Sequence, residues 1–154
     1  MLRGKGWITV WLGCLLSGVM AVQAQQIEGL VPRFERPAGR LVLARPTQAG
    51  AFLDVVGRRA ALLGYEHRAF EVWVYPLKIL RDLRLEFQIA DYPVPLSGEE
   101  TLAYIEARPE ATVLTYSHAA FTVRQILYAP VHEPGIVMLL DVQAVRPLTI
   151  RVAF

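Results

Sequence analysis

The amino-acid sequence predicts an all-β protein, an antiparallel β-sandwich of about ten strands after an N-terminal signal peptide. Three observations carry this prediction. Short runs rich in Val, Leu, Ile and aromatic residues alternate apolar with polar side chains, the period of a half-buried strand. Turn signals built on Gly, Pro, Asp and Ser separate these runs at intervals of roughly 8 to 12 residues. Helical patterning is nearly absent. Only Glu99 to Glu106, with Ser97 as N-cap, has a helical alternative, and Thr101, Ala103, Ile105 and Ala107 fit a strand face just as well.

The chain opens with Arg3 and Lys5 ahead of an uncharged apolar run from Trp7 to Val22. That run of about 16 residues falls short of the roughly 20 a membrane-spanning helix needs. Val22-Gln23-Ala24 supplies a small-residue cleavage site, so residues 1–24 read as a signal peptide and the mature chain starts at Gln25. A retained N-terminal anchor is one competing reading, and a lipoprotein site at Leu12-Gly13-Cys14 is another. The expected location is the periplasm or the exterior.

Residues 25–39 form a lead-in punctuated by Pro32 and Pro37, read as a linker or edge segment before a sandwich domain over residues 40–154. Arg40 to Ala44 and Ala51 to Val56 are the first two strands, divided by Pro46 and Gly50. Arg58 to Gly64 and Ala69 to Tyr75 follow, joined by Tyr65-Glu66-His67-Arg68 and closed by Pro76. Leu80 to Ala90 is the longest run, with Leu83, Leu85, Phe87 and Ile89 on one face and Arg84, Glu86 and Gln88 on the other. After the turns at Asp91-Tyr92-Pro93, Pro95 and Ser97-Gly98 come Thr101 to Ala107, Ala111 to Ser117 and Phe121 to Ala129. The stretch Pro130 to Gly135 breaks the series, and Ile136 to Val142 and Leu148 to Phe154 complete it. Because the last strand stops on Val152-Ala153-Phe154 with no polar tail, the expectation is that it continues into a longer protein.

Charge and cysteine usage narrow the function classes. Of 16 basic residues, Arg3 and Lys5 leave with the signal, so the 14 that remain balance 14 acidic ones. A balanced domain with scattered arginines has no electrostatic case for nucleic acid or an anionic membrane surface. Cys14 also leaves, so thiolate zinc sites and cysteine nucleophiles are excluded and the fold must rest on its apolar core.

The search for chemistry finds no catalytic residue, metal site or cofactor site to assign. The glycines stand singly at turns, so no phosphate-cradling loop is present. His67, His118 and His132 lack metal-ligand spacing. Ser117-His118 is a neighbour pair without an elbow turn, and Glu99-Glu100 sits at a turn where solvated carboxylates are ordinary. Asp54, Glu66, Glu71, Glu86 and Asp91 are carboxylates without an identifiable pair, and glycoside hydrolysis needs a pair about 5 to 9.5 Å apart.

The best candidate binding cluster is Glu71, Trp73 and Tyr75, which alternation places on one strand face opposite Phe70, Val72 and Val74. An aromatic face packs on the C–H face of a pyranose while a carboxylate accepts hydroxyl hydrogen bonds, so the trio is a candidate oligosaccharide contact. The expectation weighed more heavily is that Trp73 and Tyr75 pack in the core or beneath another domain.

Two stretches carry a family resemblance. Arg59 to Gly64 followed by Ala69 to Leu80, and Thr122 to Pro130 followed by Glu133 to Val142 and Arg146 to Ile150, resemble the N-terminal β-sandwich of bacterial six-hairpin glycosidases, the glycogen-debranching and glucoamylase-like enzymes. The resemblance covers roughly residues 40–154. It implies a non-catalytic sandwich in an exported glycoside hydrolase acting on an α-glucan or related oligosaccharide. It also implies a partner, a C-terminal (α/α)6 barrel carrying the catalytic carboxylates. No helical repeat of that kind occurs in this sequence, so no catalytic residue transfers to it. The alternative is a free-standing carbohydrate-binding or surface-assembly module.

Overall fold

Alternation becomes burial most plainly between Leu83 and Ile89. In the computed structural model, which describes residues 41–154, Leu83, Leu85, Phe87 and Ile89 are all buried while Arg84 is exposed and Glu86 and Gln88 lie half-buried. Those four apolar side chains face a second sheet, and the two sheets form the predicted sandwich. Strand makes up 61% of the described residues and helix 4%, which leaves no room for a helical layer. The predicted signal peptide and lead-in lie outside the described residues. Among the described residues no helix is long and apolar enough to cross a membrane.

Eleven strands are present: β1 (Leu43–Pro46), β2 (Phe52–Val56), β3 (Ala60–Tyr65), β4 (Phe70–Val74), β5 (Leu77–Ile89), β6 (Leu96–Ser97), β7 (Leu102–Ala107), β8 (Thr112–His118), β9 (Phe121–Tyr128), β10 (Val137–Ala144) and β11 (Leu148–Ala153). One sheet runs β1-β7-β8-β9-β10, and the other runs β11-β5-β4-β3-β2 with β6 on β5; every pairing is antiparallel. The chain therefore crosses between sheets after β1, again before β7, and a last time between β10 and β11.

Three details depart from the sequence prediction. The first strand starts at Leu43 and includes Pro46, which an edge strand tolerates because its missing N–H is not needed by a neighbour. The fifth strand begins at Leu77, three residues early, because Tyr75-Pro76 forms a two-residue turn across which Val74 pairs with Leu77. Two register shifts against β4 then let Leu80 and Leu83 sit opposite Val72 and Phe70, with Asp82 in the left-handed region at φ 58°. Last, the segment with two readings divides. Gly98–Thr101 forms a single helical turn, α1, whose N-cap Ser97 accepts from the Glu99 amide at 3.1 Å, and Leu102 onward is strand.

Both sheets contribute inward side chains to one continuous core. Leu53, Leu62, Phe70 and Phe87 come from one sheet, and Leu114, Tyr116, Phe121 and Val123 from the other. The Phe87 ring lies 4.8 Å from Phe121 and 5.2 Å from Tyr116, centroid to centroid, which ties the layers at the centre. A polar chain is buried among them: the Tyr116 hydroxyl donates to Gln125 Oε1 at 2.6 Å, and Gln125 Nε2 donates to Met138 Sδ at 3.0 Å. Burial without an anion-stabilising partner pushes the Tyr116 phenol well up from its ordinary value.

Candidate functional site

Directly opposed residues of antiparallel strands share a face, so the register defines the outer surface of the β2-β3-β4-β5 sheet. Val56, Ala61, Trp73 and Lys78 form one row across four strands. Asp54, Leu63 and Glu71 form the next, and Phe52 with Tyr65 forms a third. The alternation in Phe70–Val74 thus places Glu71 and Trp73 together on the outer face, while Phe70 and Val72 are buried on the other.

Of the two placements expected for Trp73, in the core or beneath another domain, the outward position removes only the core. Its indole is half-buried on the outer sheet face and stays outside the core cluster. Sequence periodicity separates the two faces of a strand but does not say which is covered. Trp73 Nε1 donates to Glu71 Oε2 at 3.1 Å, and Lys78 Nζ donates to Glu71 Oε1 at 2.6 Å. The same ammonium lies 5.0 Å from the centre of the Trp73 ring, within cation–π range. Hydrogen bonds from Lys78, then Trp73, hold the Glu71 carboxyl below its ordinary value. Tyr75 lies in the turn beyond β4 and is 48% exposed.

Around this trio the face is mostly apolar, with exposed Asp54 among its residues. Phe52, Val56 and Tyr65 are all exposed, and Phe52 and Tyr65 meet edge to face at 5.6 Å. Large apolar groups exposed together on a sheet face mark a surface built to meet something.

The remaining sequence candidates separate in space. Ser117 and His118 are consecutive on β8, so their side chains leave opposite faces and cannot form a nucleophile–base pair. Glu86 lies between Arg84 and Arg151, 3.6 and 3.2 Å away, and Glu99 and Glu100 sit in the first turn of α1. Asp91 is in a turn with φ 65°. Asp54 and Glu66 line one solvent-open cleft beside the β1 and β2 edges, but Glu66 is not free for chemistry. It is fully buried, and its carboxylate takes a fork from Arg45 and the Gln48 amide at 2.6 Å. Burial raises the Glu66 carboxyl, but the Arg45 and Gln48 hydrogen bonds, with the charges of Arg45 and His67, outweigh it and hold the group below its ordinary value.

Sequence reasoning missed this ion pair. A buried carboxylate inside a Tyr65 to Arg68 turn carries no local signal, because its partner lies 21 residues away. His67 was missed in the same way. Its φ is 59°, and its ring spans two segments, with Nδ1 at 2.7 Å from the Glu99 carbonyl and Nε2 at 2.8 Å from Thr47 Oγ1. Both nitrogens are occupied by the fold. Among the described residues no group of three or more His, Cys, Asp or Glu is placed to hold a metal ion.

Fold and surface together define an all-β sandwich with an aromatic outer face on which Glu71 is tied to Lys78. No protein-family model matches the chain, and neither a curated protein nor a solved structure matches it significantly.

Proposed function

We propose that this chain is the non-catalytic β-sandwich of an exported glycoside hydrolase acting on an α-glucan or a related oligosaccharide. In that role it packs its aromatic sheet face against a separate catalytic domain. The observation that carries the reading is the exposed set Phe52, Val56 and Tyr65 beside half-buried Trp73 on one sheet face. The engagement of Glu66, Glu71 and Glu86 by basic side chains supports a non-catalytic role, since a glycosidase needs two carboxyls free to act on one bond. The resemblance of residues 40–154 to six-hairpin glycosidase sandwiches supplies the enzyme class.

Reading the genomic DNA past the Phe154 codon tests this directly. An open frame encoding repeated helix pairs with inward glutamates is the expected result, and a stop codon there overturns it. The arrangement of Trp73, Glu71 and Lys78 favours a second reading, a free-standing carbohydrate-binding module. One stacked ring supports affinity near the millimolar range at best, about 4 kcal/mol.

A further inference from the structure

A hollow opens at one end of the sandwich, on a different surface from Trp73. Its sides are the Ala119-Ala120 turn joining β8 to β9, the Val145-Arg146-Pro147 loop crossing from β10 to β11, and the end of β5 with Tyr92 beyond it. Backbone bonds fix the walls: the Val145 amide donates to the Ala120 carbonyl at 3.0 Å, and the Ala90 amide to the Pro147 carbonyl at 3.0 Å. Alanine methyls at the turn leave the space open, giving a volume of about 280 Å³, near the lower end of small-ligand sites.

The groups around it are unpaired donors over an apolar floor. His118 stacks on Phe121 at 5.4 Å and meets the Tyr92 ring edge-on at 6.4 Å, so the imidazole is fixed in place. Its Nδ1 accepts from the Ala120 amide at 3.2 Å, which puts the proton of the neutral ring on Nε2. Among the described residues Nε2 and the Tyr92 hydroxyl meet no hydrogen-bonding group. Arg146, like Arg58, Arg59 and Arg68, meets no carboxylate among the described residues. No acidic residue lines the hollow, and Val145, Ala119 and Ala120 supply its apolar surface, with core residue Ile89 beneath.

We propose that this hollow binds a small ring-bearing carboxylate, of the chemical class of a hexuronic acid. Arg146 forks the carboxylate, the geometry a guanidinium matches best. His118 Nε2–H and the Tyr92 hydroxyl hydrogen-bond the ring oxygens, and the ring's C–H face lies on Val145 and the methyls of Ala119 and Ala120. The site does not depend on the glycosidase reading.

Titrating the ¹⁵N-labelled full chain with glucuronate, glucose and inorganic phosphate, while following amide shifts, tests the site. Glucuronate should shift the amides of His118 to Ala120 and of Val145 and Arg146 with millimolar saturation. Glucose, lacking the carboxylate, should not. Arg146→Gln, at an exposed loop position, should weaken glucuronate at least about tenfold, and His118→Asn should weaken it severalfold. No localised shift with glucuronate overturns the proposal. So does an affinity for glucose or phosphate equal to that for glucuronate, or one unchanged in Arg146→Gln.

Discussion

Arg45 on β1 and Glu66 after β3 join the two sheets of the sandwich where both present an edge strand. The guanidinium grips the carboxylate through two N–H bonds, and the Gln48 amide adds a third. Glu66 is fully buried, so its charge is tolerated only because each oxygen is matched.

Removing the carboxylate should therefore loosen that edge. Glu66→Ala is expected to destabilise the chain by about 2–3 kcal/mol, from the lost hydrogen bonds and the space left behind. Arg45→Leu should lower the melting temperature further, because it strands a buried carboxylate. Thermal unfolding followed by circular dichroism measures both, and equal effects would contradict the asymmetry.

Acid should act through the same group. Glu66 has a lower pKa folded than unfolded, so its stabilising contribution is complete above the ordinary glutamate value. It is lost as pH falls from about 4.3 down through the folded value. The melting-temperature gap between the parent and Glu66→Gln should stay constant from pH 7 to 5 and narrow below pH 4. A gap that widens in acid would reverse the assignment.

Phe87 is fully buried between Tyr116 and Phe121 of the opposite sheet. Phe87→Ala should cost about 3–5 kcal/mol, with a matching fall in the urea midpoint. Gly98 is intolerant for a different reason: a Cβ there would lie 2.7 Å from the Leu85 carbonyl oxygen, and backbone cannot swing aside. Gly98→Ala should thus destabilise α1 and its contact with β5, although alanine is the better helix former.

Trp73 is the one tryptophan outside the predicted signal peptide, so in a chain starting at Gln25, which lacks Trp7 and Trp11, fluorescence reports its face. Trp73→Ala should fold and lose no more than about 1 kcal/mol, as an outer-face substitution. Glu71→Gln should shift the Trp73 emission by removing the charge beside the indole N–H. Loss of folding in Trp73→Ala would return this residue to the core.

Much of the strand order was legible in the sequence, because a strand half covered on one side writes its burial as alternation, and Gly and Pro mark where it turns. Leu83, Leu85, Phe87 and Ile89 are the clearest case. The extension of β5 to Leu77 was not legible, since the two register shifts let Leu80 and Leu83 share a face at a spacing that simple alternation forbids.

The candidate site divides along the same line. Sequence by itself determined an all-β chain, its strand series, and the pairing of Glu71 with Trp73 on one face. Tertiary structure alone decided that this face points outward, that Lys78 closes over it, and that Glu66 meets Arg45. It also decided that His118 and Arg146 border one hollow. The reason is physical: alternation is a local property of one strand. Which face is covered, and which distant side chains meet there, depends on how the strands order themselves into two sheets.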